Sequence, residues 1–343
     1  MSEKNYPVYL TSVKRSRALF LLVIGLFALL FFITFSLTIG AVPLHLQTVW
    51  QSIFHETNAA SDQIVRNIRL PRAIAAALIG AFLAISGALM QGMTRNPLAS
   101  PSIMGVTAGA SFVMALILVV LPQASEAFLM FGSFAGAGIG VCLVLGVAFL
   151  SKNGLSPVKL VLAGTAISAL LNSFSAAIAL HFNIAKDLSF WYAGGLSGVQ
   201  WVHIRLLLPV AAAGFVLALL LSRSITALSL GEEVAKGLGA RTGIIKLGGV
   251  LTVLLLTGAA VSVAGTIGFI GLIIPHLTRF LIGNDYRWVI PCSAVLGANL
   301  LVISDLAARM INPPFETPVG VITALIGVPF FLHLARQEGG GRL

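Results

Sequence analysis

The stretch KLGGVLTVLLLTGAAVSVAGTIGFIGLIIPHLTR, residues 246–279, decides how this chain is threaded. Thirty-two uncharged residues separate Lys246 from Arg279. One straight helix of that length reaches ~48 Å at about 1.5 Å per residue, too long for a hydrocarbon core of about 30 Å. Two full crossings need about 40 residues. Gly265, Gly268 and Gly271 supply break points. The stretch therefore reads as one full helix, 247–267, followed by a short one, 268–282.

Eight further apolar runs surround this pair: 18–39, 71–92, 102–121, 127–150, 157–181, 203–222, 288–308 and 318–334. Composition agrees with a chain that lives in lipid. It has 343 residues, 58% of them hydrophobic and 9% charged, with a mean hydropathy of +1.00. A soluble chain is about 25% charged. The expectation is an all-α polytopic membrane protein of ten transmembrane helices, packed as a single domain over residues 1–343. The polar, basic residues 1–17 form a tail. The first apolar run, about 20 residues long, exceeds a signal-peptide core and has no clear small-residue cleavage site after it, so it reads as a retained span.

The distribution of basic residues tests the count. With ten spans and an inside N-terminus, fifteen of the 21 Lys and Arg fall in inside segments. With nine, the Arg279/Arg287 connection and the basic C-terminal tail 335–343 move outside. Lys and Arg collect on the cytoplasmic side, which favours ten spans with both termini in the cytoplasm. The net charge of +10 is explained in the same way, without nucleic acid.

The charged island SITALSLGEEVAKGLGARTGIIK (224–246) then falls in the largest internal cytoplasmic loop, residues 223–246. Ser229 and Glu232 have capping-box spacing. Val234, Ala235 and Leu238 share one helical face, with Glu232, Glu233 and Lys236 on the other. Gly239 suits the position just past a helix end. This predicts a short amphipathic helix outside the membrane, either a solvated connector or a docking element.

Polar residues inside spans are costly and face a bundle interior. Gln91, Thr94, Asn96, Thr165, Ser168 and Asn172 are the candidates for a translocation path, against the plainer reading of interhelical hydrogen bonding. Gly132, Gly136 and Gly140 form a G-x-x-x-G-x-x-x-G run that predicts close helix packing. AISGALMQG (84–92) and SVAGTIGFIG (262–271) are loosely alike and would run in opposite senses, a possible inverted repeat. His181, His203, His276 and His333 are scattered, and no His or carboxylate pair has metal-ligand spacing. Cys142 and Cys292 lie in apolar runs and imply neither disulfide nor metal. No G-x-x-x-x-G-K-[ST] is present, so ATP has no P-loop here. No nucleophile–base pair stands out, and no catalytic residue is expected.

Several stretches, in order, resemble the FecCD-type permeases of ABC importers for iron–siderophores, haem and cobalamin. They are RLPRAIAAALIGAFLAISGALMQGMTRNPLASPSIMGVTAGA (69–110), LAGTAISALLNS (162–173), SFWYAGGLSGVQW (189–201), LSLGEEVAKGLG (228–239), VSVAGTIGFIGLIIPHLTR (261–279), SDLAARM (304–310) and ETPVGVITALIGVPFF (316–331). The resemblance covers about residues 60–335. It implies a bundle like that of the cobalamin permease, in a bacterial plasma membrane. Two permeases, a second copy or a sister chain, would pair around a central path. Separate ATP-binding subunits would carry ATP and Mg, and an extracellular binding protein would deliver the chelate. Carried over residue by residue, Gly231, Glu232, Glu233, Ala235, Leu238 and Gly239 match the ATPase-coupling helix. Arg69, Arg72 and Arg309 match arginines that meet acidic knobs of the binding protein. For Arg309 the plainer reading is an internal pair with Asp305, and for Arg72 interfacial snorkelling. Asn96 matches a cytoplasmic gate loop and Thr165 a cavity-lining helix.

The leading cargo is a ferric hydroxamate or catecholate siderophore, ahead of haem and cobalamin. An ion-coupled secondary transporter is the alternative from another class. It needs intramembrane carboxylates, and Asp305 is the only acidic residue in an expected span. A structural membrane partner without transport would not explain polar residues placed mid-span.

Overall fold

The computed structural model of the chain describes residues 15–40, 42–55, 59–150, 157–313 and 315–339. The tail 1–14 with Lys4 and Lys14, the connection 151–156 with Lys152, and residues 340–343 with Arg342 lie outside the described residues.

Among the described residues the fold is helical throughout, without strands. In chain order the elements are α1 (Arg15–Thr38), α2 (Leu46–Phe54) and α3 (Ala60–Gln63). A π-helical turn, Ile64–Arg69, leads from α3 into α4 (Leu70–Thr94). After the 3₁₀ turn Pro101–Met104 come α5 (Val106–Val120), α6 (Glu126–Phe149), α7 (Pro157–His181), α8 (Ala185–Ala193) and α9 (Trp201–Leu230). The remainder is α10 (Glu232–Gly237), α11 (Thr242–Ala264), α12 (Ile270–Ile282), α13 (Tyr286–Ile311) and α14 (Val319–Gly339). Seven are long and apolar enough to cross a membrane, the second of them being the continuous run Ala60–Thr94. Three more, α5, α12 and α14, are shorter apolar helices. These ten correspond one for one to the ten apolar runs.

The break that decided the threading is present. α11 ends at Ala264, and α12 starts at Ile270 with only 13 residues, roughly 20 Å of helix. Gly265 has φ +65° and Phe269 φ +68°. A bulky residue is uncommon there, and Phe269 is held by its ring, which fills the notch left by Gly327 on α14. Irregular backbone at membrane depth must find partners inside the protein. Here α8 and the turn after it supply some of them: the Thr266 N–H donates to the Trp191 carbonyl, and the Gly195 N–H donates to the Ala264 carbonyl at 2.9 Å.

α4 is the axis of the bundle, packing against α9, α11, α12 and α13. Its most apolar window is 78% buried against 11% for α1, so α4 is core and α1 is periphery. Small residues make this possible. A Cβ on Gly87 would sit 1.8 Å from the Gly271 carbonyl oxygen of α12. The glycine run on α6 works the same way against α5: Gly136 meets the Gly109 backbone and Gly140 the Gly105 backbone. It is a packing seam, as its spacing predicts.

The two stretches read as a loose repeat do not share a backbone. Residues 84–92 lie in continuous α4, whereas 262–271 span the α11–α12 break. What joins them is the Gly87–Gly271 contact itself.

Candidate functional site

The charged island is mostly not loop. α9 runs on to Leu230 and α11 begins at Thr242, so only α10 and two short joints separate them. Ser229 does not cap α10. It belongs to α9 and donates its hydroxyl to the Thr226 carbonyl at 2.7 Å, while Gly231, at φ +145°, occupies the N-cap. A longer α9 than its apolar run suggests takes the serine away from its expected role. The other end is as expected. Gly239, at φ +80°, donates to the Lys236 carbonyl, and the Ala240 N–H donates to the Ala235 carbonyl, both at 2.9 Å. That pair of bonds is a Schellman stop.

The faces of α10 divide differently from the expected apolar and charged sides. Ala235 is fully buried against the bundle, whereas Val234 and Leu238 are 48% and 71% exposed. Glu232 turns back to the membrane domain. It accepts from Lys246 Nζ at 2.8 Å and Thr242 Oγ1 at 3.3 Å on α11, and pairs with Lys236 at 3.3 Å. The hydrogen bond from Lys246 holds its carboxyl below the usual carboxylate range; partial burial opposes this and Lys236 adds to it. Glu232 therefore seats the helix. Glu233, Val234 and Leu238 stand exposed on its outer side.

At the opposite end of α4 the structure gathers the arginines around one buried carboxylate. Arg72 Nε lies 2.9 Å from Asp305 Oδ1, and Arg309 Nε lies 3.3 Å from Asp305 Oδ2. Arg72 also reaches Glu316 at 2.6 Å. Arg309 donates to the Ser36 and Ile39 carbonyls, and Arg69 to the carbonyls of Leu37 and Val42. The guanidiniums of Arg69, Arg72 and Arg309 are thus turned into the chain, tying α1, α4 and α13 together. Glu316, 45% exposed, is the accessible member of the cluster. Sequence separation hid Asp305 as a partner of Arg72: the two lie 233 positions apart, and only the i,i+4 pair with Arg309 is visible in a linear reading.

The polar path candidates fall into three groups. Gln91 is buried and spent on packing, donating to the Gly271 and Leu272 carbonyls at 3.2 Å and accepting from Arg279. Asn96 is exposed in the turn after α4, where its Oδ1 accepts the Leu98 N–H at 2.9 Å. Thr165, Ser168 and Asn172 share one open face of α7, at i, i+3 and i+7. Thr165 spends its hydroxyl on the Leu162 carbonyl, 3.0 Å away on its own helix. Thr94 does the same with Met90 at 2.7 Å. Arg279 and Tyr286 were missed by the linear reading. Each lies at a helix end, and it is the fold that brings Arg279 to Gln91 and Tyr286 to Gly92. No group of His, Cys, Asp and Glu able to hold a metal occurs among the described residues.

Residues 28–337 match the model of the FecCD transport family. The chain belongs to the FecCD transport family. It is 57% identical over 325 residues to the iron(3+)-hydroxamate import system permease protein FhuB of Bacillus subtilis, covering 94% of this chain and 85% of that one. It is 40% identical over 324 residues to the ferric enterobactin transport system permease protein FepD of Escherichia coli, covering 92% and 95%. A solved metal-chelate type ABC transporter in an inward-facing conformation superposes with a TM-score of 0.81 at 28% identity, covering 92% of this chain and 98% of that chain. As a FecCD chain it is a multi-pass transport subunit of an ABC importer rather than an enzyme, and the family implies ATPase and substrate-binding partners.

Proposed function

We propose that this FecCD permease carries a ferric hydroxamate siderophore inward across a bacterial plasma membrane, driven by a separate ATPase that grips α10. The cargo reading is supported by the 57% identity to a hydroxamate permease over nearly the whole chain. The coupling reading is carried by one observation: a stopped, seated helix whose Val234 and Leu238 point away from the protein. Apolar knobs on a short helix fit a groove on a partner. Glu233 beside them would fix register by meeting basic groups.

ATP binding and hydrolysis would bias a permease pair between inward-open and outward-open states, with the polar face of α7 (Thr165, Ser168, Asn172) along the path and Asn96 at its inner end. At the outer rim, the buried Arg69, Arg72 and Arg309 would act by holding the shape that a binding protein meets, with Glu316 as the group it touches. The ion-coupled alternative loses its one intramembrane carboxylate, since Asp305 is already engaged by two arginines.

The test is uptake of radiolabelled iron in a strain lacking this chain and restored with it, using hydroxamate, catecholate, citrate and haem chelates in turn. Restored uptake of hydroxamates alone supports the reading. Restoration by haem or citrate but not hydroxamates overturns the cargo.

A further inference from the structure

We infer that α2 is an interfacial anchor, lying on the lipid headgroups with Leu46, Trp50 and Phe54 inserted among the acyl chains. These three side chains recur every four residues and so form one stripe. They are 58%, 63% and 60% exposed, while Val49 and Ser52 on the other side are buried. The rings of Trp50 and Phe54 stack at a tilt, with centroids 4.6 Å apart, which makes the stripe one continuous apolar ridge.

The depth of α2 is fixed by its neighbour. α1 is 24 residues long, about 36 Å, enough to cross the hydrocarbon core. The Leu44 N–H donates to the Thr38 carbonyl at 2.9 Å, so the chain folds back at the end of α1 and α2 starts at headgroup depth. There α2 is riveted down. Leu37, Val49, Val65 and Ala73 form one buried cluster. The Arg66 guanidinium donates to the Ser52 and Ile53 carbonyls.

The occupant follows from continuity and charge. α1 is the least buried of the long spans, and it exposes Phe20, Phe27 and Phe31. α2 continues that lipid-facing surface outward. Residues 39–55 contain no Lys, Arg, Asp or Glu. A surface built for steered docking of a soluble protein carries charge, whereas a helix with Trp, Phe and Leu on one face and uncharged polar Gln47 and Gln51 beside it suits a membrane interface, where Trp is enriched. The inference needs only that α1 spans the membrane; it is independent of the cargo and of which leaflet α2 meets.

The experiment uses full-length permease reconstituted in phosphatidylethanolamine–phosphatidylglycerol vesicles. Cys142, which is exposed, is replaced by Ser; Cys292, fully buried, stays. Single cysteines at 46, 50 and 54, and at 47 and 51 on the polar flank, carry nitroxide labels. Oxygen should relax the first set more than a water-soluble nickel chelate does, with the ratio inverted at 47 and 51. Preference for nickel at all five positions places the stripe in water and overturns the anchor. Labels reached by neither reagent, or immobilised only when the binding protein is added, assign the stripe to a protein partner and overturn it too. Trp50→Phe in otherwise native protein gives a second reading: brominated acyl chains should quench less of its total tryptophan emission than of the wild type's. Equal fractional quenching would count against lipid contact.

Discussion

Asp305 is the residue on which the Arg72 end of the bundle turns. It lies 1% exposed between Arg72 and Arg309, whose side chains are 6% and 8% exposed. A buried cation stripped of its counter-charge costs about 3–5 kcal/mol, because desolvation is no longer offset. Asp305→Asn is therefore expected to lower stability by about that amount, read as a fall in the melting midpoint of the detergent-purified chain. Glu316→Gln removes a partner that is 45% exposed, and should change stability by no more than about 1 kcal/mol. Equal effects of the two would mean that Asp305 is not the hub. At the α10 end of the bundle Glu232 gives a pH dependence. Its folded carboxyl titrates below the ordinary range, so its contribution to seating α10 is present above that range and is lost as pH falls through the lowered value. Glu232→Gln should remove this acid sensitivity from hydrogen exchange at the start of α11. The roles of these carboxylates were not legible in the sequence. Asp305 reads as half of a local pair and Glu232 as a docking charge, because their partners Arg72 and Lys246 are brought in by tertiary structure.

At the scale of elements the sequence is more informative, for a physical reason. A membrane span must satisfy its own backbone, so length and charge alone place it. The broken α11–α12 pair and the α5–α6 glycine seam were both legible from glycine spacing and apolar length. Amphipathic α10 was legible in place but not in orientation. Its apolar residues divide between Ala235, packed on the bundle, and Val234 and Leu238, left outside; three apolar positions on one short turn do not say which of them the protein keeps. Leu238→Arg should therefore leave the helix folded and the chain in the membrane, yet abolish co-purification of the ATPase subunits and iron uptake. Unchanged co-purification would separate α10 from coupling. Gly239→Ala tests the helix itself. A Cβ at φ +80° costs roughly 1–2 kcal/mol. The amides of residues 232–240 should then exchange about 5–30 times faster, with the transmembrane helices unaffected.

For the whole molecule, the number of crossings decides which side of the membrane each joint faces. α10 lies between α9 and α11, and three spans, α6, α7 and α9, separate it from the joint 121–125 between α5 and α6. If ten crossings start from a cytoplasmic N-terminus, the 121–125 joint is external and α10 is internal. The basic residues in and beside α10, Arg223, Lys236, Arg241 and Lys246, sit where the cytoplasmic excess of Lys and Arg would put them. Gln123 and Leu238 are both exposed, so each can report its side without disturbing the core. With Cys142→Ser as background, Gln123→Cys should react with a membrane-impermeant maleimide in intact cells. Leu238→Cys should react only after the membrane is opened. The reverse pattern would put α10 beyond the reach of any cytoplasmic ATPase, and labelling of both from outside would remove one crossing between them. The α11–α12 break lies after both reporters and is tested separately: Asp285, in the joint between α12 and α13, must report the same side as Leu238 if the short α12 completes its return. That follows if α11 leaves the inner face and α12, roughly 20 Å of helix starting from a break tied to α8, brings the chain back to it.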